Sequence, residues 1–192
     1  MNYSIYAEST PNPAVMKFVS NKNLSANSLE ILSPEEAKKI PLANAIFNFP
    51  FVKSLFISGN FIAITKNETI EWENIAIQIR IFISDFLNDK GFQIDENKHS
   101  EIAAKKSIKE EETFTDLEKK VANILEEYIQ PAVESDGGFI SLKSVKNGVV
   151  SVLLKGACSG CPSSSLTLKQ GIESLLKQHL PKNIKEVVAY EE

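Results

Sequence analysis

The residues whose chemistry is easiest to specify in this 192-residue sequence are its two cysteines. They are Cys158 and Cys161, separated by two residues. That spacing lets two thiolates converge on one metal ion or metal cluster. The same spacing also occurs in enzymes that use a dithiol for redox chemistry. By itself, the pair leaves three interpretations open: a metal or cluster site, a redox dithiol, and two incidental cysteines.

The loop around the cysteines favours metal or cluster binding. A predicted strand enters it and a predicted helix leaves it, over about residues 164–180. Pro162 suits the first turn of a helix, and the serines that follow are candidate caps. The positive end of a helix dipole stabilises a thiolate, which is the form that binds metal. A redox dithiol is instead expected near the start of a thioredoxin-like βαβ unit, and this pair lies late in the chain. We expect the loop to contribute little to the apolar core, which the sequence assigns to Leu166, Ile172, Leu175 and Leu176.

Counting ligands points to two copies of the chain. Zinc sites and the common iron–sulfur clusters have four protein ligands, and one chain has two thiols. Two chains related by a twofold axis offer four. A mononuclear zinc site with His179 is an alternative, but a helix of about 20 Å separates that residue from the loop at 1.5 Å per residue. His99 lies in a charged segment and is expected to face solvent. A bridging site would be exposed and shared, which suits transfer.

The first predicted domain, residues 1–88, has features of a small α/β unit. Residues 16–19 form a candidate strand and residues 42–47 a short helix. The apolar runs 52–58 and 61–66 flank a turn signal and predict a hairpin. A helical stripe then runs from Trp72 to Leu87, with Thr69 as its candidate cap.

Residues 89–113 are predicted to be a charged linker, since they offer little apolar surface to bury. The second domain, residues 114–192, opens with the Thr115–Glu118 capping box. Its first helix is expected to end at Pro131. Strands are predicted at 139–145, 149–154 and 184–190, the last after the helix that follows the cysteines. The fold class is therefore α+β or α/β: two small domains joined by a charged linker, the second with the order α-β-β-α-β.

The Asp136-Gly137-Gly138 turn has two interpretations. It needs the torsion angles that glycine allows, or it packs beside the cysteine loop or a subunit interface.

Composition excludes several functional classes. The net charge is −4, which argues against a general nucleic-acid binder. No apolar run is long enough and free enough of charge to predict a membrane span. The N-terminal residues lack the basic start and apolar stretch of a signal peptide, so we expect a cytoplasmic protein. No nucleophile–base set or phosphate-binding loop is evident, so we expect no enzymatic activity.

Longer motifs resemble one family. The sequence from Gly156 to Ser164, with residues 167–173 after it, is similar to the C-terminal domain of the NifU/Nfu family. Asp136-Gly137-Gly138 stands where that family has Asp-Gly-Gly. The N-terminal part resembles the Nfu N-terminal domain, on the following matches: Thr10-Pro11-Asn12-Pro13 with Lys17-Phe18, Pro41-Leu42-Ala43 with Phe47, and Phe61-Ile62 with Thr65-Lys66.

The resemblance implies a function. Family members are iron–sulfur cluster scaffolds or carriers, usually with a 4Fe–4S cluster held between two subunits. It therefore implies Cys158 and Cys161 as cluster ligands, one cluster per homodimer, and delivery to apo iron–sulfur client proteins alongside other assembly factors. A 2Fe–2S cluster, which also accepts four thiolates, remains the alternative.

Overall fold

The computed structural model describes residues 2–68, 70–92, 114–159 and 162–191. The chain divides into two compact units, Met1–Lys105 and Lys106–Glu192, and each is an α+β structure described here by itself. The predicted linker, residues 89–113, lies mostly outside the described residues, so its boundaries stay a prediction. In the part of the chain that the structure describes, no helix is long and apolar enough to cross a membrane.

The N-terminal unit is built on a five-stranded antiparallel sheet. Its spatial strand order is β1-β2-β5-β4-β3. The strands are β1 (Ile5–Ser9), β2 (Val15–Ser20), β3 (Ser25–Ile31), β4 (Val52–Gly59) and β5 (Phe61–Lys66). The predicted hairpin is β4–β5, and Gly59 takes a φ of 52° at its turn. Among the described residues of this unit, three helices accompany the sheet: α1 (Pro34–Ala37), α2 (Pro41–Ile46) and α3 (Trp72–Lys90).

Helix α3 buries the predicted apolar stripe. Ile75, Ile79, Ile83 and Leu87 recur at helical spacing and are all buried in the core of this unit. Trp72 meets the ring of a β2 residue, Phe18, edge-on, with the ring centroids 6.2 Å apart.

Some elements of this unit were not predicted. Strands β1 and β3 and helix α1 were missed, because their apolar residues are interrupted by polar ones. The N-cap position of α3 is Glu71, not Thr69, which lies outside the described residues.

The C-terminal unit has the predicted order α-β-β-α-β. A helical segment comes first, and strands β6 (Gly138–Lys146) and β7 (Val149–Gly156) form an antiparallel hairpin. Helix α6 (Pro162–His179) then leads to β8 (Glu186–Glu191), which pairs parallel to β7. The hairpin turn is Asn147-Gly148, with φ of 53° and 83°, a conformation that asparagine and glycine adopt readily.

The first helical segment does not end at Pro131, so that prediction was wrong. Helix α4 (Asp116–Ile124) continues through a π-helical turn (Leu125–Ile129) into α5 (Gln130–Ser135). Pro131 lies in the first turn of α5, where its missing N–H group costs little. The wider π turn restarts the hydrogen-bond ladder just before the proline, so the chain stays helical to Ser135.

Glutamate side chains tie both edge strands of the three-stranded sheet to the helices. The capping box of α4 is present, as predicted. Its Glu118 also accepts a hydrogen bond from the N–H of Val145 on β6, at 2.9 Å. On the other edge, Glu173 of α6 accepts from the N–H of Val187 on β8, at 3.1 Å. These bonds occupy edge donors that could otherwise pair with another strand.

Candidate functional site: the cysteine loop

The cysteine loop joins the end of β7 to the start of α6. Gly156 closes the strand with a φ of 63°, which lets the chain turn sharply. The N–H of Ser159 then donates to the carbonyl of Gly156, at 3.1 Å, and helix α6 begins at Pro162. Cys158 therefore lies between a strand end and a helix N-terminus, as the sequence predicts.

The Asp136-Gly137-Gly138 turn packs beside this loop, so both interpretations of it are correct. Gly137 has a φ of 80°, a torsion that glycine adopts at little cost. Its carbonyl accepts a hydrogen bond from the N–H of Ala157, at 3.1 Å. Gly138 is paired with Gly156 across the two strands. The turn and the cysteine loop thus form one backbone structure.

The side chain of Cys158 is packed in the core of the C-terminal unit, with a residue exposure of 7%. This corrects the expectation that the loop contributes little to the core. Ile172 and Leu176 are buried there as predicted, whereas Leu175 is only half-buried, and the side chain of Leu166 is outside the described set. The reason is that the hydrogen bond from Ala157 to Gly137 holds the loop against the start of β6, where Cys158 meets Gly138.

Gly138 leaves the space that the thiol occupies. A Cβ atom built on Gly138 would lie 2.5 Å from Sγ of Cys158 and 3.1 Å from its Cβ. It would also lie 3.1 Å from the carbonyl oxygen of Lys155. The neighbouring helix N-terminus favours the thiolate that binds metal, whereas the apolar side chains around Cys158 disfavour it. The Gly137-Gly138 pair is evident in the sequence, but the sequence does not show that Gly138 lies against Cys158.

The second predicted ligand, Cys161, lies outside the described residues, as does Gly160. Among the residues that the structure describes, no group of three or more histidine, cysteine or acidic side chains could hold a metal ion.

The structure places His179 far from the cysteine loop. His179 is the last residue of α6 and is exposed, with its ring centroid 5.1 Å from that of Tyr128. Seventeen residues separate it from Pro162, which corresponds to about 25 Å along a helix. His179 therefore cannot ligate a group at the loop, as predicted. His99 lies outside the described residues.

In the N-terminal unit, the Thr10-Pro11-Asn12-Pro13 motif forms the connection between β1 and β2. The side chain of Asn12 accepts a hydrogen bond from the N–H of Ala14, at 3.0 Å. The hydroxyl of Thr10 accepts from the N–H of Asn12, at 3.2 Å, and lies 3.0 Å from the carbonyl of Val15. These bonds satisfy a turn whose prolines lack N–H groups, so the motif has a structural role here.

Comparison with known proteins matches both units. Residues 5–90 match the family model "Scaffold protein Nfu/NifU N terminal", and residues 121–188 match the model "NifU-like domain".

Two similar proteins align along most of this chain. "NFU1 iron-sulfur cluster scaffold homolog, mitochondrial" of Homo sapiens is 32% identical over 92% of this chain, which spans 68% of that protein. "NifU-like protein 4, mitochondrial" of Arabidopsis thaliana is 33% identical over 92% of this chain, which spans 62% of its length. A solution structure of a NifU-like protein from Saccharomyces cerevisiae aligns with 50% of this chain and 87% of its own, with 26% identity and a TM-score of 0.44. On the two family models and the sequence alignment with the human protein, the chain belongs to the Nfu/NifU family of scaffold proteins.

Proposed function

We propose that this protein binds an iron–sulfur cluster through Cys158 and Cys161 and delivers it to apo-proteins. The observation that carries the proposal is the position of Cys158, which lies against Gly138 and between β7 and the first turn of α6. A similar human protein carries "iron-sulfur cluster scaffold" in its name and aligns over 92% of the chain. Thiolates are the usual ligands of such clusters.

The proposed cluster bridges a homodimer. Each chain has two cysteines, and the common clusters take four thiolates. A twofold axis through the cluster lets the same loop of each subunit supply two of them. We favour a 4Fe–4S cluster, one per dimer, with a 2Fe–2S cluster as the alternative that the same ligands accept.

Delivery then proceeds by thiolate exchange. A client cysteine thiolate forms a bond to iron, the bond from iron to one carrier cysteine breaks, and the released thiolate takes up a proton. No electron is transferred in this step. Because each subunit holds the cluster through only two bonds, the client can displace one subunit while the other still holds the cluster. The cluster never enters water as a bare group.

The proposal describes a binding and delivery protein and not an enzyme, acting on apo iron–sulfur clients together with other assembly factors. Its thiols must stay reduced to act as ligands, which requires a reducing compartment. We propose the cytoplasm, while the human and Arabidopsis relatives are named as mitochondrial. Fluorescence microscopy of the tagged full-length chain in its own cell tests the location.

Anaerobic reconstitution with iron and sulfide tests the proposal. The wild-type protein should turn brown, bind iron and sulfide, and activate an apo-aconitase-type client. The Cys161→Ala variant should lose iron binding and activation. His179→Ala is the matched control, because His179 is a potential ligand far from the loop and its loss should change neither readout. A colourless wild-type protein that reduces disulfides would instead identify a redox dithiol.

A further inference from the structure

We propose that Gly138 is a positioning residue for Cys158: its missing side chain leaves the space in which the thiol packs against the start of β6, and a side chain there would displace the thiol and reduce cluster loading. The proposal rests on the proposed function for its last step. Its first step, the fit between Gly138 and the cysteine, stands on the geometry of this unit alone.

The contact is too close for any side chain. A Cβ atom at Gly138 would stand 2.5 Å from Sγ of Cys158, a distance that carbon and sulfur do not approach. Rotating the thiol away would not relieve all of the close contacts, because Cβ of Cys158 and the carbonyl oxygen of Lys155 would each still be 3.1 Å from the new Cβ atom. One of these atoms is backbone at the end of β7, so the strand end that leads into the cysteine loop must also move by a few tenths of an ångström. The residue acts on the cysteine through this space.

Backbone strain is not the cause. The φ of Gly138 lies outside the left-handed region, unlike that of Gly137 at 80°. Gly138 is paired with Gly156 in the β6–β7 ladder, a conformation that alanine accepts. An alanine at position 138 would therefore act through its contact with the cysteine loop.

A displacement of Cys158 would affect both subunits of the proposed dimer. Each subunit contributes the same loop, so a displaced Cys158 appears at two of the four ligand positions. Iron–sulfur bonds fix the separation of the sulfurs closely, and ligand sites tolerate displacements of only about 0.5 Å. A side chain at position 138 should therefore weaken cluster binding more than it weakens the fold.

Two other glycines serve as matched controls. A Cβ on Gly171, in α6, would meet nothing within 4 Å. One on Gly148, at φ 83°, would crowd only Lys185 and Asn183, at the hairpin turn. Gly171→Ala therefore controls for the substitution itself, and Gly148→Ala for a general loss of stability in the same unit.

The first experiment measures the thiol without any cluster. The reduced, cluster-free full-length proteins are treated with iodoacetamide, and mass-spectrometric fragmentation of the peptide that contains both cysteines separates alkylation of Cys158 from alkylation of Cys161. Slow alkylation is expected in the wild type and in Gly171→Ala, because the residue is 93% shielded from solvent in this structure. Gly138→Ala should alkylate roughly fivefold faster or more, since a cost of about 1 kcal/mol is a factor of about five in a conformational equilibrium. An unchanged rate would overturn the proposal.

A double-mutant cycle keeps the contact testable if Gly138→Ala folds poorly. The effect of Gly138→Ala on the unfolding equilibrium is measured in the wild type and in Cys158→Ala, which has no Sγ. The change that Gly138→Ala causes in the unfolding equilibrium constant should be roughly fivefold smaller in the Cys158→Ala protein, as expected for residues in contact. An equal change with and without the Cys158 thiol would show that the alanine side chain at position 138 does not contact that thiol.

Reconstitution then tests the last step. Gly138→Ala should bind less iron than Gly148→Ala, even where both unfold at similar temperatures. Full iron content in Gly138→Ala, despite fast alkylation, would overturn the claim that the position of the thiol governs loading. A wild-type protein that binds no cluster would refute the proposed function instead, while leaving the alkylation result intact.

Discussion

The substitution Glu118→Ala tests how the C-terminal unit is held together. In the structure, one carboxylate oxygen accepts hydrogen bonds from the N–H and the hydroxyl of Thr115, at 2.9 and 2.8 Å. The other accepts from the N–H of Val145 on β6, at 2.9 Å. The same side chain therefore completes the cap of α4 and binds the edge of the sheet that carries the cysteine loop.

The expected loss can be worked from these bonds. Removing a capping interaction costs about 1 kcal/mol. Leaving the half-buried Val145 N–H without its acceptor costs about 1 kcal/mol more, at the lower end because the site is partly open to solvent. The total is about 2 kcal/mol, which lowers the melting temperature of a unit of this size by roughly 10 °C.

The loss should depend on pH. Burial raises the pKa of Glu118, but the hydrogen bonds from Thr115 and Val145 lower it by more, so its pKa lies below the ordinary value of 4.5. A group whose pKa is lowered on folding stabilises the fold above its unfolded pKa. That contribution is lost as the pH falls through the folded pKa. The difference between wild type and Glu118→Ala should therefore be largest at neutral pH and shrink below pH 4.5.

The assay is thermal unfolding followed by NMR signals of the C-terminal unit. Fluorescence of the single tryptophan would not serve, because Trp72 lies in the N-terminal unit. Glu126→Ala is the matched control: it removes an exposed carboxylate from the same helical segment and should change the melting temperature little. No shift for Glu118→Ala at pH 7, or the same shift at acid pH, would refute the reasoning.

Three further outcomes are expected. Cys158→Ala should destabilise the cluster-free unit by about 1–2 kcal/mol in urea unfolding, because it removes a buried sulfur and leaves a small cavity; an unchanged midpoint would mean that the thiol is not packed. Glu173→Ala should speed hydrogen exchange of the Val187 amide, because it removes the carboxylate to which that N–H donates at 3.1 Å; the Val152 amide, in the central strand, is the internal reference. Limited proteolysis should cut first within the predicted linker, residues 89–113, and first cleavage inside β7 would contradict the predicted domain boundaries.

The sequence predicted the elements whose signals are local. The capping box at Thr115, the turn at Asn147-Gly148 and the start of a helix near Pro162 each depend on neighbouring residues, and each is present. The helical stripe from Trp72 was equally readable, because its spacing matches a helix. These features need no knowledge of distant contacts.

What the sequence missed depends on contacts between distant segments. The helix continues past Pro131 because a π turn precedes the proline, and no local rule predicts that turn. The contact between Gly138 and Cys158 joins residues far apart in the chain and follows from the pairing of β6 with β7. The burial of Cys158 has the same origin, so the sequence predicted that this residue lies between a strand and a helix but did not predict its packing.

The central claim is that two copies of this chain hold one iron–sulfur cluster through their cysteine loops. Anaerobic reconstitution, followed by Mössbauer spectroscopy and native mass spectrometry of the same sample, tests it most directly. We expect a dimer with a single 4Fe–4S cluster, or roughly two irons per chain. A monomer that carries a full cluster, or a reconstituted dimer that contains no iron, would contradict it.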